Sequence, residues 1–199
     1  AALHRTNLPQ IRIAPGDAEL QRVGGAFGPG VILVSKLREK SLRLSAGGAG
    51  VKVLLYEGGE ALRFDEQAID AGVKGCLRVM GATGMIADPP RKPDLPQTSL
   101  STASSWVRAP EGGILHTIRR TGDRVGQKEV IGVVADPLGV QSTPVVSEDD
   151  GVIVGRTNLP IVNRGDALFH IARVKPVTGA KSRTKPEFAD ALYDEDEII

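Results

Sequence analysis

The chain has 199 residues and is close to neutral, with 25 Lys+Arg against 24 Asp+Glu and no basic stripe carrying interleaved aromatics, which argues against a nucleic-acid partner. Hydrophobic residues at 41 % and charged residues at 25 % are ordinary for a soluble globular protein, and no apolar run is long enough to span a membrane. The one cysteine, Cys76, excludes an internal disulfide and suits a reducing, cytoplasmic compartment.

Residues 1–88 alternate apolar runs with helical patterns, the rhythm of an α/β layer structure. They open on Ala rather than Met and carry no basic-then-apolar leader, so a piece of a longer protein is expected. A helix is predicted over residues 17–27 and a short strand over 31–35 (VILVS). Ser41 is placed to cap a short helix carrying Leu42 and Arg43, with Gly47 and Gly48 ending it.

Residues 51–56 (VKVLLY) read as a buried strand of a parallel sheet. Gly58 and Gly59 then allow a sharp turn, which puts Glu57 at the carboxyl end of a strand, where open α/β sheets bind their ligands. A partly desolvated carboxylate in that place is suited to general acid–base work. Asp65 is a good N-cap for a helix reaching Met80, with Ile69, Val73, Cys76, Leu77 and Met80 at helical spacing. Phe64 and Ile69 stand at the positions of a hydrophobic staple, and Glu66 favours the helix dipole.

Residues 89–104 break the rhythm: Pro89, Pro90, Pro93 and Pro96, then LSTASS, read as a linker or an extended crossing segment. Residues 105–174 form a β region, with strands predicted over 113–118, 130–135, 143–146, 151–155 and 167–172. Gly122-Asp123 returns as Gly165-Asp166, each ahead of an apolar run, a weak repeat that suggests a small β-barrel or barrel-sandwich of two similar halves. The pentapeptide RTNLP occurs at residues 5–9 and 156–160, and both copies read as Pro-terminated loops whose likeness is coincidental. Residues 175–199 form a polar tail.

Taken together, LLYEGGEALRFDEQAI, RAPEGGILHTIRRTGDRVGQKEVIGVVADPLG and DGVIVGRTNLPIVNRGDALFHIA resemble the C-terminal two-thirds of the succinylglutamate desuccinylase/aspartoacylase family, over residues 1–174. The resemblance implies the end of a zinc-carboxypeptidase-like α/β/α domain followed by a β-barrel-like domain. It also implies a zinc-dependent deacylase that cleaves an N-acyl amide, or an ester, of a small carboxylate-bearing substrate. On it, Glu57 matches the catalytic glutamate, with Glu60 as the competing carboxylate two glycines further on. Arg43 in SLRLSA matches the arginine that holds the substrate carboxylate, whose planar fork suits that group, and Arg63 is a weaker anion-binding candidate. Homo-oligomers are compatible with all of this.

The family's zinc ligands, a His-x-x-Glu pair and the histidine of Asp-Leu-His-Thr, have no counterpart in this chain. The opening ALHRTNLPQIR resembles the segment that follows the second motif, so the ligands are expected upstream of Ala1 and the chain alone is expected to be inactive. His4 echoes that motif but is followed by Arg5-Thr6-Asn7, and His116 and His170 fall in β runs as structural histidines, so none is assigned to a metal. The competing reading is a non-catalytic barrel-sandwich binding or adaptor module. A swinging-arm carrier is disfavoured, because residues 135–151 contain no lysine and Lys128 lies in a different turn.

Overall fold

The computed structural model describes residues 2–92 and 98–174; Pro93, Pro96 and the tail of residues 175–199 lie outside the described residues. The first helix, α1 (Ala18–Phe27), starts where the Asp17 carboxylate accepts from the Leu20 N–H and ends at Gly28, whose φ of 81° needs no Cβ. Ser41 caps α2 (Leu42–Gly48) in the same way, and the helix closes on Ala49, so Gly47 and Gly48 sit inside its last turn. Asp65 caps α3 (Glu66–Ala82) through the Ala68 N–H at 3.0 Å.

The staple expected in front of α3 is not made. Phe64 is 94 % exposed. The apolar stripe of α3 is not the face that packs either: Ile69, Val73 and Cys76 are exposed, while Ala68, Gly75 and Arg78 are buried. The reason is the reach of two aromatic rings. A Cβ on Gly75 would stand 2.2 Å from Phe27 Cζ, and one on Gly72 would stand 3.1 Å from Tyr56 Cε1. The helix therefore approaches on its small residues, and Arg78 closes the contact by donating to the Phe27 carbonyl at 2.8 Å.

Gly75→Ala tests that close approach. Helix propensity favours alanine by about 1 kcal/mol, but overpacking a closed contact costs about 1–3 kcal/mol. With Phe27 only 4 % exposed and unable to withdraw, the clash is expected to win and the urea midpoint to fall. A midpoint at or above wild type would show that the ring yields.

The central sheet is built on a strand missed in the sequence, β1 (Arg5–Ile13). Its C-terminal half runs parallel to β2 (Val31–Val34), with Ile11 opposite Ile32. The other edge of β1 carries β3 (Leu55–Gly59) antiparallel, with Gln10 opposite Glu57. One extra residue of β1 fits between Asn7 and Gln10, a bulge that contains Pro9 and explains how a proline is tolerated there.

This corrects the strand read at residues 51–56. That strand begins at Leu55, is antiparallel, and leaves Val51 57 % exposed. Glu57 lies mid-strand rather than at a strand's carboxyl end. Gly58 and Gly59 belong to β3, where neighbours crowd both: a Cβ on Gly58 would meet the Tyr56 hydroxyl at 2.5 Å, and one on Gly59 would meet the Asp65 Cβ at 3.1 Å.

The sheet does not stop at the Pro-rich segment. Here β4 (Ser99–Ser101) pairs parallel with β2, and β5 (Ser104–Arg108) sits at the far edge. In the smaller sheet lie β6 (Gly113–Thr117), β8 (Val130–Ala135), β9 (Ser142–Val146) and β11 (Ile161–Val162), in the order β11-β6-β8-β9. The remaining strands, β7 (Arg124–Val125), β10 (Gly151–Thr157) and β12 (Ala167–Arg173), join the large sheet, giving the order β4-β2-β1-β10-β12-β5 with β3 on β1 and β7 on β10. The α/β and β regions thus share one sheet. Among the described residues the strands form two sheets and no closed barrel.

Three apolar clusters hold these layers. Ile11, Ile13, Leu20, Phe27 and Ile32 pack α1 on the sheet. Ile131, Val134, Ile153, Phe169 and Ile171 join the two sheets, and Val31, Leu33, Val152, Val154 and Ala172 cover the other face. The repeat of Gly122-Asp123 and Gly165-Asp166 is geometric as well. Each glycine has a positive φ, and each aspartate accepts from a backbone N–H three residues before it, Arg120 and Asn163 respectively, at 2.8 Å.

Candidate active site

Along β1 the residues alternate QIRI, and the strand's period of two sends Ile11 and Ile13 to the helix side and Gln10 and Arg12 to the other. Gln10 faces Glu57 across the β1–β3 ladder, and Arg12 faces Leu33 on β2. Arg12 Nε donates to Glu57 Oε2 at 2.9 Å, and Gln10 Nε2 donates to the same oxygen at 3.3 Å. The ion pair is held between side chains only 19 % and 23 % exposed, where it is screened far less than at a surface.

Gln10 is fully buried, and its Oε1 has no hydrogen-bond partner among the described residues. Turning the amide over would set its carbonyl against the Glu57 carboxylate. An unsatisfied buried carbonyl costs about 1–3 kcal/mol, so the arrangement sacrifices stability to bring a donor to Glu57.

Arg43 reaches the same cluster from α2. Its Nη1 donates to Ser35 Oγ at 3.2 Å. Burial pulls its guanidinium below the usual arginine range, nearby Arg12 adds to the fall, and Glu57 opposes it. From the β region comes His170 on β12, which is 6 % exposed. Burial, reinforced by Arg12 and opposed by Glu57, lowers its pKa to about 4, so it is neutral at pH 7. His170 shares its Nε2 with Ser104 Oγ at 2.9 Å and stacks on Trp106 at 4.7 Å, whose ring also lies 4.8 Å from the Arg5 guanidinium. The cluster sets two guanidinium charges against one carboxylate, a field that suits an anionic ligand.

Glu60 does a different job. It follows β3, and its two oxygens accept from the His4 backbone N–H and from Asn158 Nδ2, both at 2.9 Å. The first RTNLP copy is a strand segment of β1, whereas the second leaves β10 after Thr157 and runs on as a loop through Pro160; the two copies meet where Arg5 pairs with Thr157 and Thr6 with Arg156, antiparallel. Asn158 completes the joint with Thr6 Oγ1 at 2.8 Å and the His4 carbonyl at 2.8 Å. Arg63 stays apart from Glu57, on the exposed turn after β3, where it donates to the Leu62 carbonyl and borders an apolar groove along α3.

Sequence reasoning missed Gln10 and Arg12 as the partners of Glu57, and His170, stacked on Trp106, as a group within its electrostatic reach. The signal available for the first two was the alternation of QIRI, in which two polar residues interrupt the isoleucines at strand period.

No three His, Cys, Asp or Glu side chains among the described residues come together as a metal site. His4 lies exposed beside Glu60, His116 lies exposed on β6, and His170 is buried against Trp106. These residues do not fit the zinc that the family resemblance implies.

No family model and no curated protein sequence matches the chain. Solved structures do. Succinylglutamate desuccinylase/aspartoacylase from Rhodobacter sphaeroides superposes with a TM-score of 0.74 at 20 % identity, covering 86 % of this chain and 55 % of that one. The product-bound ectoine utilization protein EutE (DoeB) from Ruegeria pomeroyi gives 0.73 at 11 % identity, covering 87 % and 56 %. An aspartoacylase family protein from Mesorhizobium loti gives 0.67 at 18 % identity, covering 88 % and 55 %. The chain therefore has a mixed α/β fold shared with succinylglutamate desuccinylase/aspartoacylase structures, consistent with their C-terminal portion. It spans about half the length of the structures it matches.

Proposed function

We propose that this chain is the C-terminal part of a deacylase that hydrolyses the N-acyl bond of a small, carboxylate-bearing substrate. The observation that carries this reading is a hydrogen-bonded carboxylate, Glu57, beside an arginine, Arg43, whose hydrogen bond among the described residues is to a neutral hydroxyl. The shared fold supports it. The zinc of such enzymes would be held by residues outside those described here, and a cytoplasmic location fits the lone Cys76.

In this reading Arg43 binds the substrate carboxylate and orients the acyl carbon toward Glu57. Glu57 takes a proton from a water molecule whose oxygen bonds to that carbon. It then returns the proton to the amine nitrogen as the C–N bond breaks, so that one amide and one water become one carboxylate and one ammonium.

Assaying the chain joined to its upstream coding sequence, zinc-loaded, against N-acyl amino acids and neutral N-acyl amines tests the proposal. Arg43→Lys keeps the charge but loses the planar fork. A charge-assisted hydrogen bond is worth about 1.5–3 kcal/mol, so kcat/KM on N-acyl amino acids is expected to fall about tenfold to a hundredfold. Equal kinetics for the variant, with neutral amides turned over as well as acidic ones, would remove Arg43 from the site.

A further inference from the structure

Glu57 is approached from three elements. Gln10 and Arg12 come from β1, Arg43 acts on it from α2 and His170 from β12. Both hydrogen bonds to its carboxylate fall on Oε2, and among the described residues none reaches Oε1. We propose that Arg12 and Gln10 are positioning residues for Glu57, gripping Oε2 from the neighbouring strand so that Oε1 alone exchanges a proton with the reactants. The inference rests on the deacylase reading above and adds to it which oxygen works and what holds it.

Three features carry it. The Arg12 contact is made by Nε at 2.9 Å with both partners half-buried, so the carboxylate cannot swing without breaking an ion pair screened from water. Gln10 leaves its own buried Oε1 unpartnered in order to present Nε2 to Glu57. A glutamine serving only to fill this buried place would be better replaced by an apolar side chain. Finally, both donors stand on β1 directly beside β3, so the ladder itself fixes where Oε2 sits.

Arg12→Met in the zinc-loaded enzyme is expected to lower kcat about a hundredfold by letting the carboxylate shift, with KM unchanged. Arg12→Lys is expected to recover part of that. Added to Glu57→Gln, Arg12→Met should cost nothing more, since residues acting as a unit are non-additive. A multiplicative loss in the double variant, or an effect on KM alone, would overturn the proposal by showing that Arg12 acts on the substrate itself. Gln10→Met should reduce kcat without lowering Tm; a fall in Tm without a fall in kcat would make Gln10 a packing residue.

An activity-independent arm uses the 199-residue chain itself. The Arg12 Nε–H should exchange slowly with water by NMR and become fast in Glu57→Gln. Fast exchange in the wild type overturns the proposal whatever the kinetics show. Slow exchange in an enzyme that hydrolyses no N-acyl substrate would instead sink the deacylase reading, and the proton-transfer role of Glu57 with it.

Discussion

On the proposed deacylase reading, Glu57→Gln is expected to abolish most turnover of the zinc-loaded, full-length protein while leaving its shape intact. The substitution keeps the side chain's length and its place opposite Gln10, but an amide cannot carry the proton from water to amine. General acid–base groups contribute about 100- to 10,000-fold in rate, and the lower kcat should appear without a change in zinc content, since Glu57 is not proposed as a ligand. Two side effects are expected from the geometry. Arg12 loses its charged partner, so some loss of stability accompanies the loss of rate. Gln10 meets an amide that can turn to offer either oxygen or nitrogen, so its own contact survives. Turnover above half of wild type would take the role from Glu57, and Glu60, tied to His4 and Asn158, would then have to be tested.

Acidification between pH 6.5 and 4 should destabilise the fold through His170. In the unfolded chain a histidine titrates near 6.5, whereas burial in the fold, aided by Arg12, lowers His170 to about 4. The folded state therefore resists a proton that the unfolded state accepts. Its contribution is complete above pH 6.5 and is lost progressively as the pH falls to about 4. At about 1.4 kcal/mol for each pKa unit, the loss amounts to about 3 kcal/mol. Urea midpoints measured across this window should fall more steeply for wild type than for His170→Gln, which has no charge to gain. Parallel curves would show that His170 accepts its proton without strain, through relaxation around Trp106 and Ser104.

Local signals in the sequence were enough for the three helix starts. Asp17, Ser41 and Asp65 each satisfy an N–H three residues ahead, a contact that depends on nothing outside the turn. The β runs after residue 104 were legible for a similar reason: alternation bounded by glycine and aspartate turns is a local pattern, and 130–135 was found to the residue. Glu57 was legible through its motif, and the structure sets it beside Arg12 and in the electrostatic reach of Arg43.

What lay beyond the sequence depends on contacts between distant residues. That β1 is a strand at all was hidden by Pro9, because a bulge tolerates a proline only where a partner strand supplies the register. The direction of β3 likewise follows from β1 lying beside it, so a run that reads as parallel and buried became antiparallel and half-exposed. On α3 the rings of Phe27 and Tyr56 decide which face packs, and they select glycines over the apolar stripe. The same holds for the site. Glu57 was singled out from the apolar run before it and, together with Arg43, from the family resemblance, whereas Gln10 and Arg12 meet Glu57, and His170 comes within its electrostatic reach, only because strands far apart in the chain share one sheet, and register across a sheet is set by pairing, not by sequence proximity.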